Sequence, residues 1–301
     1  MIIVSSCVMG EACRYDGKAY PLDQAIEELK NMEAIHICPE IMAGLPTPRM
    51  PMEIVNEGKE GKVLSKDGKD YTQDFVDGAK KVLDICKEHN VRYAILKDKS
   101  PSCGSQQIYN GQFEDKLIPG MGITARLLQE HGIQIFPAET APYKKIIVYD
   151  YLESHGISYI KHEHEPVFTV EQANEMDVSI EAQQCKNLFL RNKKGDRHFL
   201  VILEHNRRFD LKEFGEENGL GRLSFASSKR LKKYLGVEPG SVSAFALIND
   251  GNHHVEVYID RDFNPEENIS FHPNQNDETL EITYQDFEKF ITSCGYTYQK
   301  C

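Results

Sequence analysis

Four of the five cysteines among the first 103 residues, Cys7, Cys13, Cys38 and Cys103, are the side chains with the most chemistry to offer. Thiolates are soft ligands that select zinc or iron–sulfur centres. One such residue alone reads well as a small buried hydrophobe; four in loop-forming sequence do not. Zinc sites usually carry paired Cys-x2-Cys knuckles, and the chain has none. Dispersed single ligands suit a cluster cradled by several loops. Cys86, inside a helical pattern, is expected to be an inert core thiol, and Cys185, Cys294 and Cys301 have no evident partners.

A second candidate group lies downstream. In Cys185-Lys186-Asn187-Leu188-Phe189-Leu190, Lys186 alternates with Leu188 and Leu190 and shares their strand face, so it either snorkels from a strand end or is poised in a pocket. Leu235 to Ser243 is a Gly/Pro turn, including Gly240 and Ser241, whose amides and hydroxyls suit a small polar ligand. His272 precedes Pro273, which fixes the local chain. His162 and His164 have i, i+2 spacing but no further ligand set, so they are expected to be surface histidines.

For these groups to meet, particular elements must carry them. Residues 1–4, 34–37, 93–96 and 133–136 read as strands, alternating with helices over 21–31, 71–90 and 123–131. That alternation predicts an α/β Rossmann-like parallel sheet. Cys7, Cys38 and Cys103 then fall just past strand carboxyl ends, which share the edge where ligands bind. Pro137 and Pro142 bracket a short polar connection, which places a seam between domains of residues 1–140 and 143–301. The second domain reads as α+β with a mixed sheet. Its expected elements are a helix over 143–155, a hairpin of 187–191 and 198–203, strands at 244–248, 254–259 and 279–283, and helices at 211–218, 228–235 and 284–294.

At 301 residues the chain is long enough for two cores. Hydrophobic residues at 40% and charged residues at 27% exclude a disordered tail or a membrane protein. No apolar run reaches the roughly 20 residues of a spanning helix, and Met1 to Val4 lacks a basic leader, so a cytoplasmic protein with reduced thiols is expected. The net charge of −12 opposes diffuse attraction to nucleic acid. The charge is nevertheless segregated: residues 186–208 hold seven basic and two acidic side chains and 222–233 five basic and no acidic, whereas 250–301 hold three against 11. Each basic run alone is an ordinary solvated face; two together make a phosphate-facing surface worth testing.

Ser6-Cys7 with Cys13-Arg14-Tyr15-Asp16-Gly17, Cys38-Pro39-Glu40 with Gly44-Leu45-Pro46-Thr47-Pro48-Arg49, and Ser100-Pro101-Ser102-Cys103-Gly104 resemble the thiouracil desulfidase family across residues 1–140. The resemblance implies a [4Fe-4S] cluster held by three cysteines, with one iron open to the sulfur of a thiolated pyrimidine. It also implies that Ser100 and Glu40 are catalytic. Four thiols compete for three places; Cys7, Cys38 and Cys103 are preferred because each follows a strand, with Cys13 as the alternative.

Residues 143–301, through Lys186-Asn187, Glu165 to Thr169, Arg222 to Ser227 and the Gly240-Ser241 loop, are similar to prolyl-tRNA editing domains of the YbaK/ProX type. The resemblance implies hydrolysis of an amino acid misplaced on tRNA, expected to be alanine on the proline acceptor. Lys186 would bind the terminal nucleotide, Asn187 would help place it, Gly240 and Ser241 would shape the amino-acid pocket, and His272 would contact substrate. Ala244 departs from the proline common in that loop. The expectation is a bifunctional hydrolase; the alternative is a deacylase whose first half is a metal-bound structural or RNA-binding module.

Overall fold

In the computed structural model all residues except 31, 56–60 and 166–179 are described, so Asn31 and the motif residues Pro166 to Thr169 lie outside the described residues. Contacts divide the chain into two units, Met1–Ile146 and Ile147–Cys301. The described residues of the first form β1 (Ile2–Ser5), α1 (Asp23–Leu29), β2 (Ala34–Ile37), α2 (Pro39–Met42), β3 (Met52–Val55), β4 (Lys62–Ser65), α3 (Thr72–Glu88), β5 (Tyr93–Leu96), β6 (Gln107–Tyr109), β7 (Leu117–Pro119), α4 (Ile123–Glu130) and β8 (Gln134–Pro137).

Strands β1 and β5 are buried at every position, as continuous apolar runs in a parallel sheet should be. The sheet order is β2-β1-β5-β8, all parallel. Helix α3 buries Phe75, Ala79, Val82, Leu83 and Cys86 at helical spacing, which puts Cys86 in the core as expected. Two short hairpins, β3-β4 and β6-β7, were not legible in the sequence, since three- or four-residue strands leave almost no periodic signal.

Two glycines set the depth of the packing behind the cysteine loops. A Cβ on Gly78 of α3 would lie 2.2 Å from the carbonyl oxygen of Pro39, and one on Gly122, before α4, 2.4 Å from that of Ser102. Only glycine lets these helices approach the segments that carry Cys38 and Cys103.

The second unit's described elements begin with α5 (Tyr143–Ser154), whose first turn holds the unit boundary. They continue with β9 (Ile160–Glu163), β10 (Gln183–Asn192), β11 (His198–Glu204), α6 (Leu211–Glu217), β12 (Leu223–Phe225), α7 (Ser228–Leu235), β13 (Val255–Ile259), β14 (Asn268–Phe271), β15 (Glu278–Thr283), α8 (Tyr284–Ser293) and β16 (Tyr298–Lys300). The mixed sheet runs β16-β13-β11-β10-β14-β15-β9, with β12 paired to β10. Hairpin β10-β11 is antiparallel, with Asn187 opposite Ile202, whereas β10 and β14 run parallel and pair only at Gln183–Ile269 and Gln184–Ser270.

One expectation is overturned here. Ala244–Asn249 is a 3-10 helix and not a strand; Ser243 caps it by accepting from the amide of Phe245 at 3.2 Å. Ala244 to Leu247 are all buried, and an unbroken apolar run carries no period by which to tell strand from helix. Among the described residues no helix is long and apolar enough to cross a membrane.

Candidate functional site

The carboxyl ends of β1, β2 and β5 open on a cavity of about 490 Å³ in the first unit. Cys7 stands in the 3-10 turn Ser6–Met9 directly after β1. Cys38 is the residue between β2 and α2. Cys103 closes the turn after β5, and Cys13 comes from the loop after the 3-10 turn. All four line this one cavity, together with Glu40 and Ser100, so the structure brings the six expected residues of this half together.

The thiols also touch one another. All three are free thiols, and Cys13 is hydrogen-bonded to both Cys38 and Cys7; the Cys38 hydrogen bond favours its thiolate, but the Cys7 hydrogen bond and burial outweigh that and push the thiol up to about 11. Its bond to Cys13, followed by burial and the charge of Glu40, raises Cys38, and burial with the same carboxylate raises Cys103. A soft cation binding here would displace those protons, since thiolates and not thiols are its ligands.

Glu40 is held from two sides. Burial raises its pKa, opposed by the charge and hydrogen bond of Arg49 and by a bond from Ser100. The Ser100 hydroxyl oxygen already accepts from the amides of Ser102 and Cys103, both at 3.1 Å, so its own proton is the one given to the Glu40 carboxylate. Arg49 has a side chain only 4% exposed, pairs with Glu40, and donates to the carbonyls of Cys13 at 3.2 Å and Pro46 at 3.3 Å. It therefore ties the Cys13 loop to the carboxylate. The sequence reading gave Arg49 no role, although it ends the very motif that singled out this segment.

Asp98 was missed outright. Its carboxylate accepts from the amides of Ser105 at 2.9 Å, Gln106 at 3.0 Å and Gln107 at 3.3 Å and so shapes the loop behind Cys103. Burial alone would raise its pKa, but these amide bonds outweigh it and hold the carboxyl below the usual range. Ser5 bonds the Cys103 thiol and accepts from the amide of Lys97 at 2.9 Å, linking β1 to the end of β5.

Among the described residues no group of three or more His, Cys, Asp or Glu side chains is placed to hold a single metal ion. An iron–sulfur cluster asks for something different, one thiolate per iron spread around a polynuclear core. Four soft donors on the walls of one cavity fit that demand.

In the second unit the picture is more dispersed. Neighbouring residues on a strand point to opposite faces, so β10 separates Lys186 from Asn187. Lys186 lies with Leu188 and Leu190 over the core of Phe199, Val201, Leu203, Phe214 and Tyr258. Its ammonium donates to the carbonyls of His205, at 3.2 Å, and Arg207; burial lowers its pKa, against the charges of Glu204 and Asp260.

Asn187 faces the other way, with Phe189. On that face His198 stacks with Phe189 at 5.7 Å and packs at a tilt on Tyr234 of α7 at 4.2 Å. Asn249 of the 3-10 helix donates to the carbonyl of Leu235 at 2.9 Å, which ties α7 to it across the loop carrying Gly240 and Ser241. Phe245 packs on Phe271 at 5.5 Å, and the Asn274 amide reaches the Phe245 carbonyl at 3.5 Å. Asn187 therefore shares the face on which α7 packs through Tyr234, with the 3-10 helix tied to α7, whereas Lys186 lies on the other. The side-chain carbonyl oxygens of Asn187 and Asn274 are buried without a partner, so both are acceptors left to offer.

Nδ1 of His272 is 2.8 Å from the carbonyl of Glu278, which can only accept, so Nδ1 carries the proton; burial lowers the ring's pKa and keeps it neutral, with Nε2 as an acceptor. A polar cavity of about 360 Å³, lined by residues including Glu181, Glu204, His205 and Glu267, contains none of the five expected residues. His162 bonds Glu281 at 2.9 Å and His164 bonds Thr279 at 2.9 Å, so both have structural partners.

Residues 2–140 match the family model described as 2-thiouracil desulfurase, and residues 164–290 match that of the aminoacyl-tRNA editing domain. The chain is 38% identical over 148 residues to the prolyl-tRNA editing protein ProX of Acetoanaerobium sticklandii, covering 49% of this chain and 90% of that protein. It is 40% identical over 141 residues to the uncharacterized protein YbbK of Bacillus subtilis, covering 45% of this chain and 93% of that one. Among solved structures, the [4Fe-4S]-dependent thiouracil desulfidase TudS matches with 39% identity and a TM-score of 0.45, over 49% of this chain and 97% of the other.

Proposed function

The chain belongs to the 2-thiouracil desulfurase family over its first half and to the aminoacyl-tRNA editing family over its second, and from that premise we propose a bifunctional cytoplasmic enzyme. One half removes sulfur from a thiolated uracil-type base with a [4Fe-4S] cluster, and the other hydrolyses mischarged tRNA, chiefly alanine on the proline acceptor. The convergence of four thiols with Glu40 and Ser100 on one cavity supports the first activity.

Cys7, Cys38 and Cys103 would hold the cluster, with Cys13 as the alternative third ligand. When bound, the cluster supplies an iron without a protein ligand, a Lewis acid for the base's sulfur. A water oxygen bonds to the ring carbon, the carbon–sulfur bond breaks, and sulfide leaves with the protons of the water, so no oxidant or reductant is needed. Glu40 takes and returns those protons at a carboxyl oxygen. Ser100 orients the carboxylate by its donated bond, and Arg49 keeps it in place.

For the second activity, a water splits the aminoacyl ester into free amino acid and the terminal ribose hydroxyl. Such an ester is already activated, so positioning suffices. The free side-chain carbonyl oxygen of Asn187 accepts from that water, and Lys186, on the other face of β10, binds the terminal nucleotide through its remaining N–H. Gly240 and Ser241 shape a pocket that admits alanine and excludes proline by size, with His272 beside it.

Anaerobically prepared protein should show broad iron–sulfur absorption and convert 2-thiouracil to uracil and sulfide, and Cys103→Ala should abolish both. Retained absorption in that variant rejects the ligand assignment, and bound zinc without turnover favours a structural first half. Lys186→Ala should largely remove deacylation of alanyl-tRNA(Pro); undiminished hydrolysis rejects its role.

A further inference from the structure

We propose that α7 and the β10–β11 turn form one docking face for the phosphate backbone of tRNA, with Phe225 as a stacking platform for an unpaired base; this deepens the editing reading above and rests on it. The turn of the first basic run, with Lys193 and Lys194, joins the second run, residues 222–233, as one surface in the fold. The Arg230 guanidinium of α7 donates to the carbonyl of Gly195 at 2.8 Å, which locks the turn carrying Lys193 and Lys194 against the helix carrying Lys229, Lys232 and Lys233. Strand β12, entered from Arg222, pairs with the end of β10 and completes the same surface. Those six cations are exposed.

The acids nearby are few and occupied: Asp196 accepts from Asn192 at 2.7 Å, and Glu238 lies 3.8 Å from Lys232. In a chain of net charge −12, a face this one-sided is complementary to a polyanion.

Three observations select RNA over a lipid surface. The apolar side of α7, Leu231 and Leu235, is buried, so the helix has no apolar face to insert into a bilayer. Phe225 is 58% exposed beside the cations, the arrangement that single-stranded nucleic acid uses for stacking. Phe225 also pairs with Leu190 of β10. Residues opposed across strands share a face, so Phe225 lies on the side of Leu190 and Lys186, and a base stacked there leads the single-stranded end along β10 toward Lys186.

The experiment is equilibrium binding of uncharged tRNA to the full chain across a salt series, so that no deacylation is required. Reversing Lys229, Lys232 and Lys233 to Glu should weaken binding at least tenfold and flatten the log–log salt slope by about 2 to 3, as three lost phosphate contacts demand. Reversing the exposed Lys30, Lys80 and Lys87 of the first unit changes the net charge equally and should leave affinity within about twofold. Phe225→Ala should cost about 5-fold to 100-fold on RNA with a single-stranded end and little on a blunt duplex. Equal losses in both triple variants, no loss in the α7 variant, or binding to phosphatidylserine vesicles in preference to tRNA would each overturn the proposal. Protein that binds tRNA through this face yet hydrolyses no mischarged tRNA removes the editing reading and leaves the face standing. Hydrolysis with binding indifferent to α7 does the reverse.

Discussion

The two halves place their candidate chemistry in opposite ways. In the first, residues from four separated segments meet on one cavity, and each is braced by a neighbour: Glu40 by Arg49 and Ser100, Cys103 by Ser5, the loop behind it by Asp98. In the second, two adjacent residues, Lys186 and Asn187, are sent to opposite faces of β10. Proximity in sequence is therefore a poor guide on a strand, and distance in sequence is no obstacle at the carboxyl edge of a parallel sheet.

The largest effects should break the first site outright. Cys103→Ala removes a wall of the cavity's donor set and should abolish cluster absorption, whereas Cys13→Ala should retain it if Cys13 is the spare thiol. Loss in both variants, with retention in Cys7→Ala, would exchange Cys13 for Cys7 among the ligands.

Next in size, the opposed faces of β10 can be separated by their readouts. Asn187→Ala should lower kcat/KM for deacylation by about 100-fold with little change in Tm, since its carbonyl oxygen has no partner in the fold to lose. Lys186→Met keeps the packing over Leu203 but loses two carbonyl bonds, so it should also lower Tm by a few degrees, at about 1 to 2 kcal/mol. Equal Tm changes in the two variants would erase the distinction between the faces.

Much of this was legible beforehand, and for stated reasons. The four parallel strands and the helices α1, α3 and α4 showed because short apolar segments alternating with helical spacing mark strands feeding helices. The convergence of cysteines followed from the geometry of parallel strand ends. What escaped was support: Arg49 and Asp98 act through backbone carbonyls and amides, which any residue supplies, so no side-chain pattern marks their partners. The 3-10 helix over Ala244–Asn249 escaped because its residues are apolar without a period.

A smaller effect tests whether close packing underlies the first site's order. Gly78→Ala puts a methyl group 2.2 Å from the Pro39 carbonyl oxygen, which is backbone and has no rotamer to give. The strain should cost about 2 kcal/mol in stability and shift α2, and with it Cys38 and Glu40. Desulfuration should fall further than stability does. A variant as stable and as active as the parent would show that α2 tolerates displacement.

The smallest effect concerns Asp98, and its sign is set by the direction of its pKa. The amide bonds of Ser105, Gln106 and Gln107 favour the carboxylate and hold its native pKa below the unfolded value. Its contribution is therefore present in full above the ordinary aspartate pKa of about 4 and is lost as pH falls through the depressed native value. Asp98→Asn keeps a carbonyl oxygen to accept from the same amides but discards the charge, so it should cost about 1 to 2 kcal/mol at pH 7. The difference in Tm between parent and variant should then narrow steadily below pH 4. A difference that persists undiminished into acid would mean that shape, and not the carboxylate's charge, orders the loop behind Cys103.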